Sequence, residues 1–145
     1  MKTVLLAHLA ATLFMTGLIW TSQIVHYPLF ARVGEDQFRG YHAAHSTLIS
    51  FVVAAPMLTE ALTAVALLVM APVPLPRWSL WLGAGLVAVV WGATALLQIP
   101  AHNALGQGFD EATIRSLVAG NWVRTAAWSA RSALALWWTS RLLHV

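Results

Sequence analysis

Apolar residues run almost unbroken through four stretches of the chain, at about 4–25, 46–70, 79–99 and 122–143. A hydrocarbon core of ~30 Å takes about 20 helical residues to cross, so each stretch predicts a transmembrane helix. The polar positions fall between them. Ala71-Pro72-Val73-Pro74-Leu75-Pro76 is too rich in proline for a helix and predicts a short, stiff link between the second and third. The other two connections, 31–44 and 106–120, are longer and hold every acid except Glu60. Gly34-Glu35-Asp36-Gln37 and Gly108-Phe109-Asp110-Glu111 both place acids where a helix N-terminus is positive. They predict a short interfacial helix in each connection. The expected fold class is all-α: a four-helix transmembrane bundle forming a single integral membrane domain over residues 1–145.

Composition strengthens this picture. Hydrophobic residues make up 59% of the chain and charged residues 9%, against roughly 25% charged in a soluble domain. A water-soluble fold of this size would lack the polar groups to cover itself, whereas lipid accepts an apolar surface. The apolar run after Lys2 continues to about Ile24, longer than a signal-peptide core, with no small-residue cleavage site, so it reads as a retained helix. The absence of cysteine excludes disulfides, thiolate metal sites and cysteine nucleophiles. The net charge of +3 comes from scattered residues with no dense Lys/Arg run, so nucleic acid is not an expected partner. The expected partners are the lipid bilayer and a lipophilic small molecule, and a homo-oligomer is left open. The basic residues on the two sides nearly balance. Lys2 beside the first helix favours cytoplasmic termini with the histidines on the opposite side.

Gln23-Ile24-Val25-His26 resembles Gln98-Ile99-Pro100-Ala101-His102, and a shift of 76 positions also brings Arg39 onto Arg115 and His45 onto Asn121. Two tandem helical hairpins related by an axis along the membrane normal would explain this. Chance likeness of apolar hairpins is the alternative.

Depth along the helices then groups the polar residues. His26 and His102 end helices running in the same direction, and His42 and His45 precede the second helix on that same side. Gln23 and Gln98 lie about one turn deeper, and Asn103, Asn121 and Arg124 share the level. His42 and His45, three apart, share a helix face and can reach one ion, with His26 and His102 completing the set. Such ligands suit a transition metal: zinc, copper or iron. Hydrated interfacial histidines without a ligand are the alternative, and no recognised ligand motif is present. Gln23, Gln98 and Asn103 would orient ligands from behind, and Arg124 would bind or polarise substrate.

Glu60 stands mid-helix, where a carboxylate is costly and finds a partner in the bundle. Arg131 and His8 lie at a similar depth. A buried pair that merely pins helices competes here with a proton relay or metal-ligand role, and Glu60 is a candidate catalytic residue beside Arg124. Trp20, Trp91 and Trp128 lie deep enough to line a cavity, with helix packing the plainer reading.

Pro100-Ala101-His102-Asn103 followed by Asn121-Trp122-Val123-Arg124 resembles the pattern of anthrone-oxygenase-like four-helix membrane proteins, with Pro100, Asn103, Trp122 and Arg124 on its motif positions. The spacing of Pro and Asn is wider here, no histidine directly precedes Arg124, and the match covers about a third of the chain. The resemblance implies oxidation of an aromatic or polyketide-like substrate, and leaves His26, His42 and His45 unexplained. The leading expectation is therefore a membrane-embedded, metal-dependent oxidoreductase acting on a lipophilic substrate. A bis-histidine haem electron-transfer protein and a non-enzymatic carrier or assembly protein are the alternatives.

Overall fold

The structure, a computed structural model, describes residues 2–72 and 75–143, apart from the Leu143 side chain. Among these the chain is all-α and builds four long helices: α1 (Lys2–Arg32), α2 (Glu35–Met70), α3 (Arg77–Leu105) and α4 (Glu111–Leu143). Consecutive helices are joined by short connections and pack as a bundle, with α1 against α2 and α4, and α4 against α3.

Each connection has a local cause. Val33 is extended and Gly34 stands at the N-cap of α2. After α2, Ala71 takes a left-handed conformation (φ 38°) while its N–H still reaches the Leu67 carbonyl, and Pro76 opens α3. Gly108, at φ 152°, makes the last turn in a conformation that L side chains rarely adopt. Asp110 then caps α4: its carboxylate accepts from the Thr113 backbone N–H at 3.0 Å, from Ala112 N–H at 3.3 Å and from the Thr113 hydroxyl.

The acidic helix starts expected at residues 35 and 111 are present, but the separate interfacial helices are not. Each start runs without a break into the following apolar stretch, so α2 has 36 residues and α4 has 33. Gly40 and Gly120 are the only weak helix formers in the junctions, and one glycine costs only about 1 kcal/mol, too little to end a helix.

Three layers of side chains fill the bundle. Leu5, Leu67, Leu80, Trp138 and Leu142 pack at the end that holds both termini. Met15, Ile19, Met57, Val90 and Trp128 form the middle. Tyr27, Phe30, Phe38, Leu105, Ile114 and Leu117 close the far end.

The polarity of the bundle is inverted relative to a water-soluble protein. Phe51 is 78% exposed and Leu96 76%, and Leu48, Leu62, Val65 and Val69 also face outward. Inside lie His8, Gln23, His42, His45, Glu60, Gln98, Asn121, Arg124 and Arg131. Exposed apolar surface on this scale marks a nonaqueous environment. By length and hydropathy, α1, α2 and α3 are each able to cross a membrane. The fourth helix, with its many Trp, Ser and Thr residues, is less apolar and is not in that group; it carries Arg124 and Arg131 within its length, both turned inward.

Candidate functional site

The polar interior has two centres, and they differ in how completely their groups are paired. The first lies in the middle of the bundle around Glu60. One carboxylate oxygen accepts from the Thr12 hydroxyl at 2.7 Å and from Arg131 Nη2 and Nε at 2.8 and 3.1 Å. The other accepts from Trp128 Nε1 at 2.8 Å. Arg131 also donates to the Gly83 carbonyl at 3.0 Å, so the network ties α1, α2, α3 and α4 together. Glu60 pairs with Arg131, while His8 turns to the Thr63 hydroxyl at 2.7 Å and packs on the Trp138 ring. Both carboxylate oxygens of Glu60 thus accept from buried donors, three on one oxygen and one on the other.

The second centre sits at the other end, where α1, α2 and α3 bring four histidines into contact. His26 Nε2 lies 2.8 Å from His45 Nδ1, and His42 Nε2 lies 3.0 Å from His102 Nδ1. The ring centroids of the two pairs are 4.6 and 5.2 Å apart, and His45 stacks on His102 at 5.6 Å, so the pairs are one cluster. Phe30 presses its edge against His26, His42 and His45, and Phe38 stacks on His42. These aromatic neighbours hold the rings in place without consuming their nitrogens.

Local helix geometry aims these side chains. Ser22–His26 in α1 and Thr94–Gln98 in α3 are single π-helical segments, each followed two residues later by a proline, Pro28 or Pro100. A proline removes the N–H that would bond four residues back, and the wider turn re-registers the chain just before it. Such bulges recur at functional sites. Here they deliver His26 and Gln23 from α1, and Gln98 with the following turn that carries His102 from α3. The prolines and bulges correspond at a shift of 72 rather than the 76 that aligns the two histidines, so Gln23 and Gln98 occupy different places in their bulges.

Neither glutamine bonds the imidazoles. Gln23 donates to the Val118 carbonyl at 3.1 Å and accepts from Asn121 Nδ2 at 2.9 Å and from Thr125 at 3.3 Å. Gln98 reaches the Leu117 carbonyl at 3.5 Å. Both therefore clamp α4, and Gly120 of α4 packs against Gln98 and Leu97. Asn103 is exposed, at the edge of a cavity.

That cavity, about 240 Å³, opens between α2 and α3 beside the cluster. His102, Gln98, Ser46 and Arg124 line its polar side, and Ile49, Val53 and Met57 its apolar side. The Arg124 guanidinium lies over the Trp128 ring at 5.2 Å and against the Tyr27 hydroxyl. Among the described residues, the buried side-chain atoms without a hydrogen-bond partner are His45 Nε2, Ser46 Oγ, Gln98 Oε1, Asn121 Oδ1 and Arg124 Nε. All five belong to this end of the bundle, and the Glu60 network contributes none. Trp20 and Trp91 are partly exposed and do not line the cavity.

As placed, the imidazole nitrogens bond one another pairwise, and among the described residues no three His, Cys, Asp or Glu side chains form a ready-made ion-binding set. The pair separations are nonetheless close to what shared ligation needs. Zn–N bonds of about 2.0–2.1 Å set tetrahedral ligand nitrogens roughly 3.3 Å apart.

No family model, curated protein or solved structure matches this chain.

Proposed function

We propose that this protein is a membrane-embedded, metal-dependent enzyme, an oxidoreductase that acts on a lipophilic substrate at the histidine end of the bundle. One observation carries the reading: four imidazoles, drawn from three helices and from positions as distant as 26 and 102, touch one another beside a cavity that one of them lines. His42 and His45 are buried and His26 and His102 half-buried against them; gathering imidazoles there is costly unless their nitrogens are used, and a transition-metal ion uses them. His26, His42, His45 and His102 would hold the ion and leave a position open to the cavity for substrate or dioxygen. Zinc, copper and iron all suit imidazole, and only copper and iron supply redox chemistry themselves. Oxidation as the reaction type follows from the resemblance to anthrone-oxygenase-like proteins. In this reading α4 crosses the bilayer with the other helices, its arginines shielded by α1–α3, and the termini are cytoplasmic with the cluster on the far side.

Two roles assigned from sequence change. Glu60, saturated by Thr12, Trp128 and Arg131, is a helix-pinning residue in this reading rather than a catalytic one. Gln23 and Gln98 position α4 rather than the imidazoles. A bis-histidine haem fits less well, since rings packed nitrogen to nitrogen leave no plane between them for a macrocycle.

The test is elemental analysis of the detergent-purified full chain beside a His42→Ala/His45→Ala variant. One or two ions per wild-type chain and none in the variant support the proposal. Equal metal in both, or none in the wild type after growth and purification with copper, iron and zinc supplied, would falsify it and favour the carrier or assembly reading.

A further inference from the structure

The cavity beside the histidines holds a cation without a counter-ion. Arg124 is 7% exposed, yet the ion pairs among the described residues are Arg115–Glu111 and Arg131–Glu60, and neither involves it. Its near neighbours are the Tyr27 hydroxyl and the Trp128 ring, neither a formal anion. Buried charges are ordinarily paired, because desolvating an unpaired one is costly. The Nε–H of Arg124 has no acceptor, and Gln98, 2% exposed, and Ser46 each bring an unpartnered oxygen to the same cavity. These are the features of a polar recess built to receive something.

The remainder of the lining indicates what that is. Ile49, Val53 and Met57 make the opposite wall apolar. Ser50, Ile99 and Asn103 line the cavity and are themselves exposed, so its mouth lies between α2 and α3. The outer faces beside that mouth carry Phe51 and Leu96, the apolar surface that faces lipid. The volume is below the roughly 300–1,000 Å³ of a site enclosing a drug-sized ligand. It suits a head group whose tail leaves between the helices.

We infer that this cavity binds a singly charged anionic amphiphile, its head on Arg124 with Ser46 and Gln98, and its apolar chain extending between α2 and α3 into the bilayer. A single guanidinium matches a single charge, and its hydrogen bond to an anion is charge-assisted. The inference deepens the proposal above by naming the substrate class of the same site. It rests on that proposal only for the idea that the ligand is consumed. A free carboxylate amphiphile and the phosphodiester head of an anionic phospholipid share this chemistry.

Full-length protein in phosphatidylcholine nanodiscs, as purified and after chelator dialysis, is titrated with decanoate and with decanol by calorimetry. Wild type is expected to bind decanoate at one per chain and more tightly than decanol by about ten-fold or more, the worth of a charge-assisted hydrogen bond. Arg124→Gln should erase that preference, and Val53→Trp, which fills the apolar wall and leaves the charge, should abolish binding of both. Loss of decanoate affinity in phosphatidylglycerol nanodiscs assigns the site to the lipid head, and unchanged affinity assigns it to the free acid. Equal affinity for acid and alcohol overturns the inference, as does an acid preference that survives Arg124→Gln or binding that survives Val53→Trp. Should Arg124→Gln fail to fold, the Val53→Trp arm and the acid–alcohol comparison still decide. Binding that requires metal but not Arg124 would place the carboxylate on an ion instead. Binding that persists in a chain shown to hold no metal would separate this site from the failure of the metal proposal.

Discussion

Replacing Glu60 with alanine tests whether the central network is structural. The substitution removes the acceptor for Thr12, Trp128 and two nitrogens of Arg131, all within 3.1 Å. Arg131, 2% exposed, is left with the Gly83 carbonyl at 3.0 Å and a 3.5 Å contact to Thr12. Breaking a buried ion pair by deleting one partner costs about 3–5 kcal/mol, because an uncompensated charge stays behind. Polar contacts between membrane helices average only about 0.6 kcal/mol, so the predicted cost is several times that of an ordinary interhelical hydrogen bond. Arg131→Ala should cost a similar amount, leaving Glu60 charged and short of donors. Glu60→Leu combined with Arg131→Met removes both charges at comparable volume and should cost far less than the sum of the single alanine variants. The assay is reversible denaturant unfolding in bicelles, read as a double-mutant cycle over Glu60→Leu, Arg131→Met and their combination. A coupling of at least about 3 kcal/mol is expected, with metal content unchanged across the set. Additive single costs of less than about 1 kcal/mol each would refute the argument, and loss of bound metal in Glu60→Ala would return Glu60 to the chemistry.

Three further outcomes are expected. Metal held by the histidine cluster should be lost, wholly or in part, from His26→Ala and from His102→Ala variants, because each removes one ligand nitrogen; metal content after dialysis measures this, and wild-type content in both would remove those two imidazoles from the ligand set. Gly83→Ala should lose about 1–3 kcal/mol in the same unfolding assay, since its Cβ would meet the Trp138 ring at 2.6 Å while that ring is tethered to Ser79 at 3.0 Å, whereas Gly17→Ala, with nothing within 4 Å, should lose nothing and gain up to about 1 kcal/mol of helix propensity. The Asp110 carboxyl is held below its ordinary 3.8 by hydrogen bonds from the Thr113 hydroxyl and then the Thr113 N–H. Its cap is therefore in full force above pH 3.8 and is lost as pH falls through the lower folded value; hydrogen exchange at residues 111–114 should accelerate over that acid range in wild type, and an Asp110→Asn variant should show no such step.

The outline of the bundle was legible because the apolar runs are long and the punctuation is strong. Proline-rich residues 71–76, the acids at 35 and 111, and the glycines before them mark ends that the structure also shows. The length of α2 and α4 was misread for a physical reason: a fall in hydropathy at residues 35–45 and 111–121 signals a change of solvent, not a break in the backbone. Depth counting brought His26, His42, His45 and His102 to one level, because helical rise is fixed whatever the neighbours do. It could not supply rotation about the helix axes. The inward aim of Gln23 and Gln98 toward the Leu117 and Val118 carbonyls depends on two π-helical segments, and their sequence trace is only a proline two residues beyond each. Thr12 gives no signal and Trp128 stands out only by its depth, since a threonine or tryptophan in an apolar helix is ordinary until a carboxylate is seen against it.

The contrast between the two polar centres is what favours the histidine end as the seat of the proposed function. A bilayer offers no water to satisfy stray polar groups, so any group left unpaired there is retained against a cost. Around Glu60 that cost is absent: donors and acceptors match, four helices are joined, and the region packs between two apolar layers. At the other end lie two π-helical segments and, among the described residues, an arginine without a counter-ion, five unpartnered atoms and four imidazoles bonded only to each other; of these groups Ser46, Gln98, His102 and Arg124 line the cavity between α2 and α3. The saturated network gives the bundle a rigid middle, and the unsaturated end is held against that middle through Arg124 on Trp128, whose indole N–H belongs to Glu60. A single tryptophan thus links the structural carboxylate to the cation that faces the cavity. Trp128→Phe should therefore disturb both: it leaves Glu60 Oε2 without its donor and weakens the platform under Arg124. Stability and amphiphile affinity should fall together in that variant, and a loss confined to one of them would show that the two centres are built independently.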